Sequence, residues 1–187
     1  DLPAGFTASE LQFPLPKKFI VDYGFGARFG GFGYEKEVLH PMVITPPADL
    51  AVDSEVVIKG LADWLMCDPN TCVPGKANLS LSLKTGVESV ASPVSGTLAE
   101  LSTKLPQRVN WPTEVDMANS LISAKIEIPE GANLPEGEMS FHPITHPVFN
   151  ILEEPKIVRE GNTITITNPA NDTLEEAPEE FSGLLVV

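Results

Sequence analysis

The stretch Ala77-Asn-Leu79-Ser-Leu81-Ser-Leu83-Lys84 alternates apolar and polar residues with period two, the pattern of a strand that buries one face. Thr163-Ile-Thr-Ile-Thr167 repeats it cleanly, and Leu121-Ile-Ser-Ala-Lys-Ile126-Glu-Ile128 reads the same way. Ser54 to Met66 is a long run rich in β-branched residues that leads straight into Cys67, so it is expected to be a strand too. Further strands are expected at Glu35 to Ile44, where Pro41 pushes the segment towards an edge or a bulge, around Phe149 to Leu152, and at Phe181 to Val187. Only Ser95 to Leu105 follows a different period. Leu98, Leu101 and Leu105 are spaced by three and four, as on a short amphipathic helix, and Pro106 stops it. Asn171 to Glu180 is acidic and reads as a solvated loop.

The composition agrees with this pattern. Against 42% apolar residues the 187-residue chain carries 18 prolines and 14 glycines, which implies many short elements joined by turns. The expectation is an all-β protein with one short helix, forming a single domain over residues 1–187. No internal repeat or convincing boundary is visible. A net charge of −14 argues against binding a phosphate backbone, which needs clustered Lys and Arg. No stretch approaches the roughly 18 apolar residues of a membrane span, and Asp1-Leu-Pro-Ala-Gly-Phe lacks the features of a signal peptide. The sequence therefore reads as a soluble piece of a processed or excised chain.

Between Tyr23 and Tyr34 aromatic residues are interleaved with glycines: Tyr23-Gly-Phe-Gly-Ala-Arg-Phe29-Gly-Gly-Phe32-Gly-Tyr34. As a loop, this run has two readings. Its rings pack on the frame while the glycines let the backbone turn, or the run is a flap whose rings cover and release a reactive site.

Both cysteines lie in Trp64-Leu-Met-Cys67-Asp-Pro-Asn-Thr-Cys72-Val-Pro-Gly75, separated by four residues that favour a tight turn. Zinc would need two further ligands. His142 and His146 are four apart, but Pro143 and Pro147 deny them a helical face, so no metal or other cofactor is expected. A structural disulfide and a redox pair both remain open. Closing so short a loop removes little chain entropy, and a domain of this size needs no staple. Conversely, two sulfurs held in one turn stay close after reduction and resolve a mixed disulfide within the molecule. Asp68 opposes thiolate formation at Cys67, and Lys76 is the nearby cation in the sequence. No G-x-S-x-G, H-E-x-x-H or phosphate-cradling glycine turn is present.

Trp64 to Cys67 and then Cys72-Val-Pro-Gly-Lys-Ala-Asn-Leu-Ser-Leu81 resemble the cysteine-bearing segment of the amino-terminal periplasmic domain of the DsbD/ScsB family of thiol:disulfide interchange proteins. Leu2-Pro-Ala-Gly-Phe, Glu10-Leu-Gln-Phe-Pro-Leu-Pro, Gly33-Tyr34-Glu-Lys-Glu-Val38-Leu39, Leu105-Pro-Gln and Gly183-Leu-Leu-Val extend the resemblance, with weaker patches from 108 to 180. It implies an immunoglobulin-like β-sandwich in which Cys67 and Cys72 cycle between dithiol and disulfide. Electrons would come from a transmembrane domain of the same full-length protein, fed by cytoplasmic thioredoxin. They would pass to periplasmic thioredoxin-fold oxidoreductases, a relay linked to cytochrome c biogenesis. By the same resemblance Cys72 is the sulfur that partners attack and Cys67 resolves. Phe29 or Phe32, with Tyr34 beside them, would be the aromatic cap, while Trp64, Asp68 and Pro74 flank the pair. Family members carry strands upstream of the point where this sequence starts, so an edge of the sandwich is expected to be missing. The alternatives are a non-catalytic binding module of the same fold with a structural disulfide, and an adhesin-like structural domain.

Overall fold

A computed structural model describes residues 1–68, 71–144 and 148–187. In chain order its strands are β1 (Thr7–Ala8), β2 (Lys17–Asp22), β3 (Arg28–Gly33), β4 (Ile44–Thr45), β5 (Glu55–Cys67) and β6 (Cys72–Lys84). After helix α1 (Ser95–Ser102) come β7 (Thr113–Ala118), β8 (Leu121–Glu127), β9 (Ser140–Pro143), β10 (Lys156–Glu160), β11 (Thr163–Pro169) and β12 (Gly183–Val186). The all-β class with one short helix is as expected. Whereas the sequence suggests a single domain, the contacts group the chain into two compact units. One is Asp1–Pro14 with Tyr34–Leu105, the other Leu15–Gly33 with Pro106–Val187.

The second unit holds the core. Its main sheet runs β10-β11-β8-β7, antiparallel throughout. The alternation in β8 and β11 places Ile122, Ala124 and Ile126 on one face beside Ile164 and Ile166, all buried. Full burial of an isoleucine contributes about 1.5–3 kcal/mol, so these two strands carry much of the unit's stability. The second layer of this sandwich-like packing comes from the paired β9 and β12 and from the segment around Phe149, where Phe141 stacks on Phe181 at 5.4 Å and meets Phe149 at 5.8 Å. Phe149 makes a single bridge to Ala170, not the strand expected over 149–152. Glu153 N–H already donates to the carbonyl of Asn150, turning the chain away.

Strands β2 and β3 form a hairpin in this unit, where the sequence suggests a loop. The glycines of β3 serve close approach as well as turning. A Cβ on Gly31 would lie 2.7 Å from the ring of Phe19, and one on Gly30 would lie 2.9 Å from Ile151. A side chain in either place would force the hairpin off its neighbours.

The first unit contains the long β5–β6 hairpin, the short β1–β4 pair and α1. Val56 is its one buried apolar residue among those described. The strand expected over Glu35–Ile44 is reduced to Ile44–Thr45. Upstream of it the backbone bonds to the N-terminal segment only at intervals, Gln12 N–H to Pro41 O and Ser9 N–H to Val43 O. Pro41 has no N–H to offer a continuous ladder.

Candidate functional site

The hairpin pairs β5 with β6 without a break from Glu55↔Lys84 to Cys67↔Cys72. The residues on either side of the ladder fix its hydrogen-bond phase. Thr85 N–H donates to Ser54 O at the base, and Asp68 N–H donates to Thr71 O at the tip. Bonded pairs therefore fall at even positions of β5, and Cys67↔Cys72 is a non-bonded pair, the kind in which cross-strand side chains come closest. The two Cα atoms are 4.0 Å apart and the sulfurs are joined in a disulfide. Pro74 opposite Leu65 also falls at a non-bonded position, so its missing N–H removes nothing from the ladder.

The same phase sorts the side chains. Val56, Ile58, Ala62, Trp64 and Met66 share a face with Val73, Ala77, Leu79, Leu81 and Leu83, an apolar surface that is largely exposed towards the tip. Cys67 and Cys72 lie on the other face with Asp63, Lys76 and Pro74, and both are exposed. Asp68 caps the turn, its Oδ1 accepting from Thr71 N–H at 2.8 Å. Lys76 meets Asp63 at 3.2 Å, an exposed pair, so its charge is shared rather than aimed at a sulfur. Pro69 and Asn70, the middle of the expected turn, lie outside the described residues.

Trp64 stands over Gly75, its partner across the ladder. The other expected site residues are placed as follows. Tyr34, in the first unit, donates its hydroxyl to Pro14 O at 2.7 Å and meets His40 edge-on at 5.2 Å, and burial raises its pKa. Phe29 and Phe32 belong to β3 in the second unit. Phe29 is tilted against Phe19 at 6.2 Å, and Phe32 stacks on His142 at 4.7 Å. The ring that stands clear is Phe25, at the tip of the β2–β3 hairpin. It is fully exposed and in the left-handed region, with φ of 54°. The glycines on both sides of it were the available signal, because they mark where the hairpin turns.

Burial, then the Lys18 ammonium, lowers the pKa of His142, while Glu154 pulls the other way. His146 lies outside the described residues. Among those described, no group of three or more His, Cys, Asp or Glu side chains is arranged to hold a metal ion, and no helix is long and apolar enough to cross a membrane. No protein-family model, curated protein or solved structure matches the chain.

Proposed function

We propose that Cys67 and Cys72 form a thiol:disulfide exchange site. The observation that carries this reading is an exposed disulfide at the tip of a hairpin of two 13-residue strands, whose unbroken ladder sets the two cysteines opposite one another. Exchange requires access for an incoming thiolate, and the tip provides it. The bond closes a loop of only four residues and spans no core, so its opening removes little stability. After reduction the ladder still holds the thiols as neighbours, ready to resolve a mixed disulfide.

The chemistry balances as a two-electron transfer. A partner thiolate attacks one sulfur, forming a mixed disulfide and releasing the other cysteine as a thiolate. A second partner thiolate then breaks the mixed bond. The partner leaves as a disulfide and this protein keeps the dithiol, and the reverse sequence passes the electrons on. On the resemblance of Trp64–Leu81 to the DsbD/ScsB segment, the donor is a membrane-embedded domain of the full-length protein, the acceptors are thioredoxin-fold oxidoreductases, and the compartment is the periplasm. The exposed apolar face of the hairpin favours a second reading, a binding module in which the disulfide only clamps the tip. Redox titration against glutathione, with trapping of the mixed disulfide, separates the two.

A further inference from the structure

The β2–β3 hairpin is a two-stranded sheet of its own, and among the described residues no further strand pairs with it. Packing and side-chain bonds attach it to the rest of its unit. Lys18 of β2 donates its ammonium to Glu153 O at 3.0 Å and to Glu154 Oε1 at 2.7 Å. The backbone of Gly30 in β3 lies against Ile151 and Leu152. Phe32 stacks on His142 of β9, with ring centres 4.7 Å apart and planes 22° from parallel. The Nδ1 of that imidazole is buried and, among the described residues, has no hydrogen-bond partner. A neutral ring tolerates this by carrying its proton on Nε2. An imidazolium does not, because both ring nitrogens then carry an N–H and the one at Nδ1 meets no acceptor.

The charged groups around the ring act in the same direction. Lys18, from β2, opposes a second positive charge, and Glu154 favours one but is already engaged by Lys18. Glu153 faces Lys18 with its backbone carbonyl. Lys17 and Asp22 of β2 and Arg28 of β3 are exposed, and neither the rest of β9 nor its partner β12 carries an ionisable side chain. The Phe32 ring attracts a cation, a weaker effect than that of a buried N–H without an acceptor. We propose that protonation of His142 undocks the β2–β3 hairpin from β9, while the hairpin and the β10-β11-β8-β7 sheet each stay folded. Undocking gives Nδ1 water to bond and carries Lys18 away with β2. The open form therefore binds the proton more tightly, and mild acid shifts the population towards it. What it uncovers is apolar: Phe32, Ile151 and Leu152. The inference is independent of exchange at the cysteines.

The test is an NMR titration of the intact protein, from pH 7.5 downwards until the His142 ring is fully protonated. The expected result is loss of the nuclear Overhauser contacts of Phe32 with His142 and of Gly30 with Ile151, with the midpoint of the His142 ring titration. Contacts of Phe19 with Gly31 inside the hairpin, and of Ile126 with Ile164 in the main sheet, are expected to persist through the same range. His142→Gln cannot take the proton and is expected to keep Gly30 on Ile151 throughout. If that variant has lost the contact already at pH 7.5, His142→Phe takes its place, keeping an aromatic ring against Phe32 without a titrating group. Hairpin contacts that survive full protonation of His142 overturn the proposal. So does their loss at the same pH in a variant docked at pH 7.5, absence of docking at pH 7.5 in both variants, or loss together with the Ile126–Ile164 contact.

Discussion

The indole of Trp64 fills the space that a Cβ on Gly75 would occupy, across the β5–β6 ladder and three residues from each cysteine. An aromatic ring laid over a cross-strand glycine shields a backbone that has no side chain of its own. It also ties the last stretch of the ladder together just below the disulfide. Gly75→Ala is expected to displace the ring and destabilise the hairpin by about 1–3 kcal/mol, the usual cost of overpacking. Combined with Trp64→Ala, the same change should cost far less, because the clash has gone. Denaturant unfolding of the four proteins checks this. Additive costs would show that the ring and the glycine are not coupled.

The rings of the β2–β3 hairpin should respond differently to truncation. Phe25 touches nothing that fixes it, so Phe25→Ala is expected to leave stability within about 0.5 kcal/mol of the parent. Phe32 stacks on His142, and Phe32→Ala is expected to cost about 3–5 kcal/mol if the site fails to collapse, less if it does. The resemblance implies an aromatic cap at Phe29 or Phe32, and a thiol alkylation rate of the reduced protein unchanged in both Phe29→Ala and Phe32→Ala removes that expectation.

A pH dependence should arise at His142. Its Nδ1 is buried and, among the described residues, has no hydrogen-bond partner. Burial and the neighbouring Lys18 hold its folded pKa below the ordinary 6.5. Between those two values the unfolded chain binds the proton and the folded protein does not, so stability falls as pH drops through about 6.5. The urea midpoint is expected to be lower at pH 5.5 than at pH 7.5, above the range where ordinary carboxylates titrate. His142→Gln should reduce that difference. A midpoint equally sensitive in the variant assigns the effect to another group.

Asn168 is the one buried polar residue of the sheet, with its Nδ2 donating to Asn150 O at 2.9 Å. Asn168→Ala removes one of the two donors to that carbonyl, Glu153 N–H remaining at 3.2 Å, and opens a small cavity. It is expected to cost about 1–3 kcal/mol in thermal or denaturant unfolding. No loss of stability would mean that the bond contributes nothing net.

Much of this architecture is legible in the sequence because it rests on period two. β8 and β11 bury one whole face, and their alternation says so. β5 is legible as a β-branched run, and β6 is a strand as its alternation predicts. Leu79, Leu81 and Leu83, expected on a buried face, stand exposed because no layer covers them among the described residues. β7 and β10 are less visible. β7 is joined to its neighbour through Asn119 and Ser120, both with positive φ, and β10 through Gly161, so the signal lies in two-residue turns rather than in the strands. β3 is hidden for another reason: a strand of Arg-Phe-Gly-Gly-Phe-Gly has no alternation to read, and its glycines are explained only by Phe19 and Ile151 pressing against them. Of the candidate site, the cysteine pair was visible and its two readings were not separable, since spacing says nothing about exposure or ladder phase. Composition likewise does not reveal that Phe25 is the ring at the turn of the glycine-rich β2–β3 hairpin.

The central claim is that the Cys67–Cys72 bond exchanges. Equilibration of the intact protein with graded glutathione, followed by acid quench and mass analysis of the thiols, measures it directly, with Cys67→Ala used to trap the intermediate on Cys72. The expected outcome is a midpoint above about −300 mV, in the range of exposed and labile disulfides, with a mixed disulfide on Cys72 of the variant. A midpoint well below that value, with no mixed disulfide trapped, would make the bond a structural clamp and contradict the account.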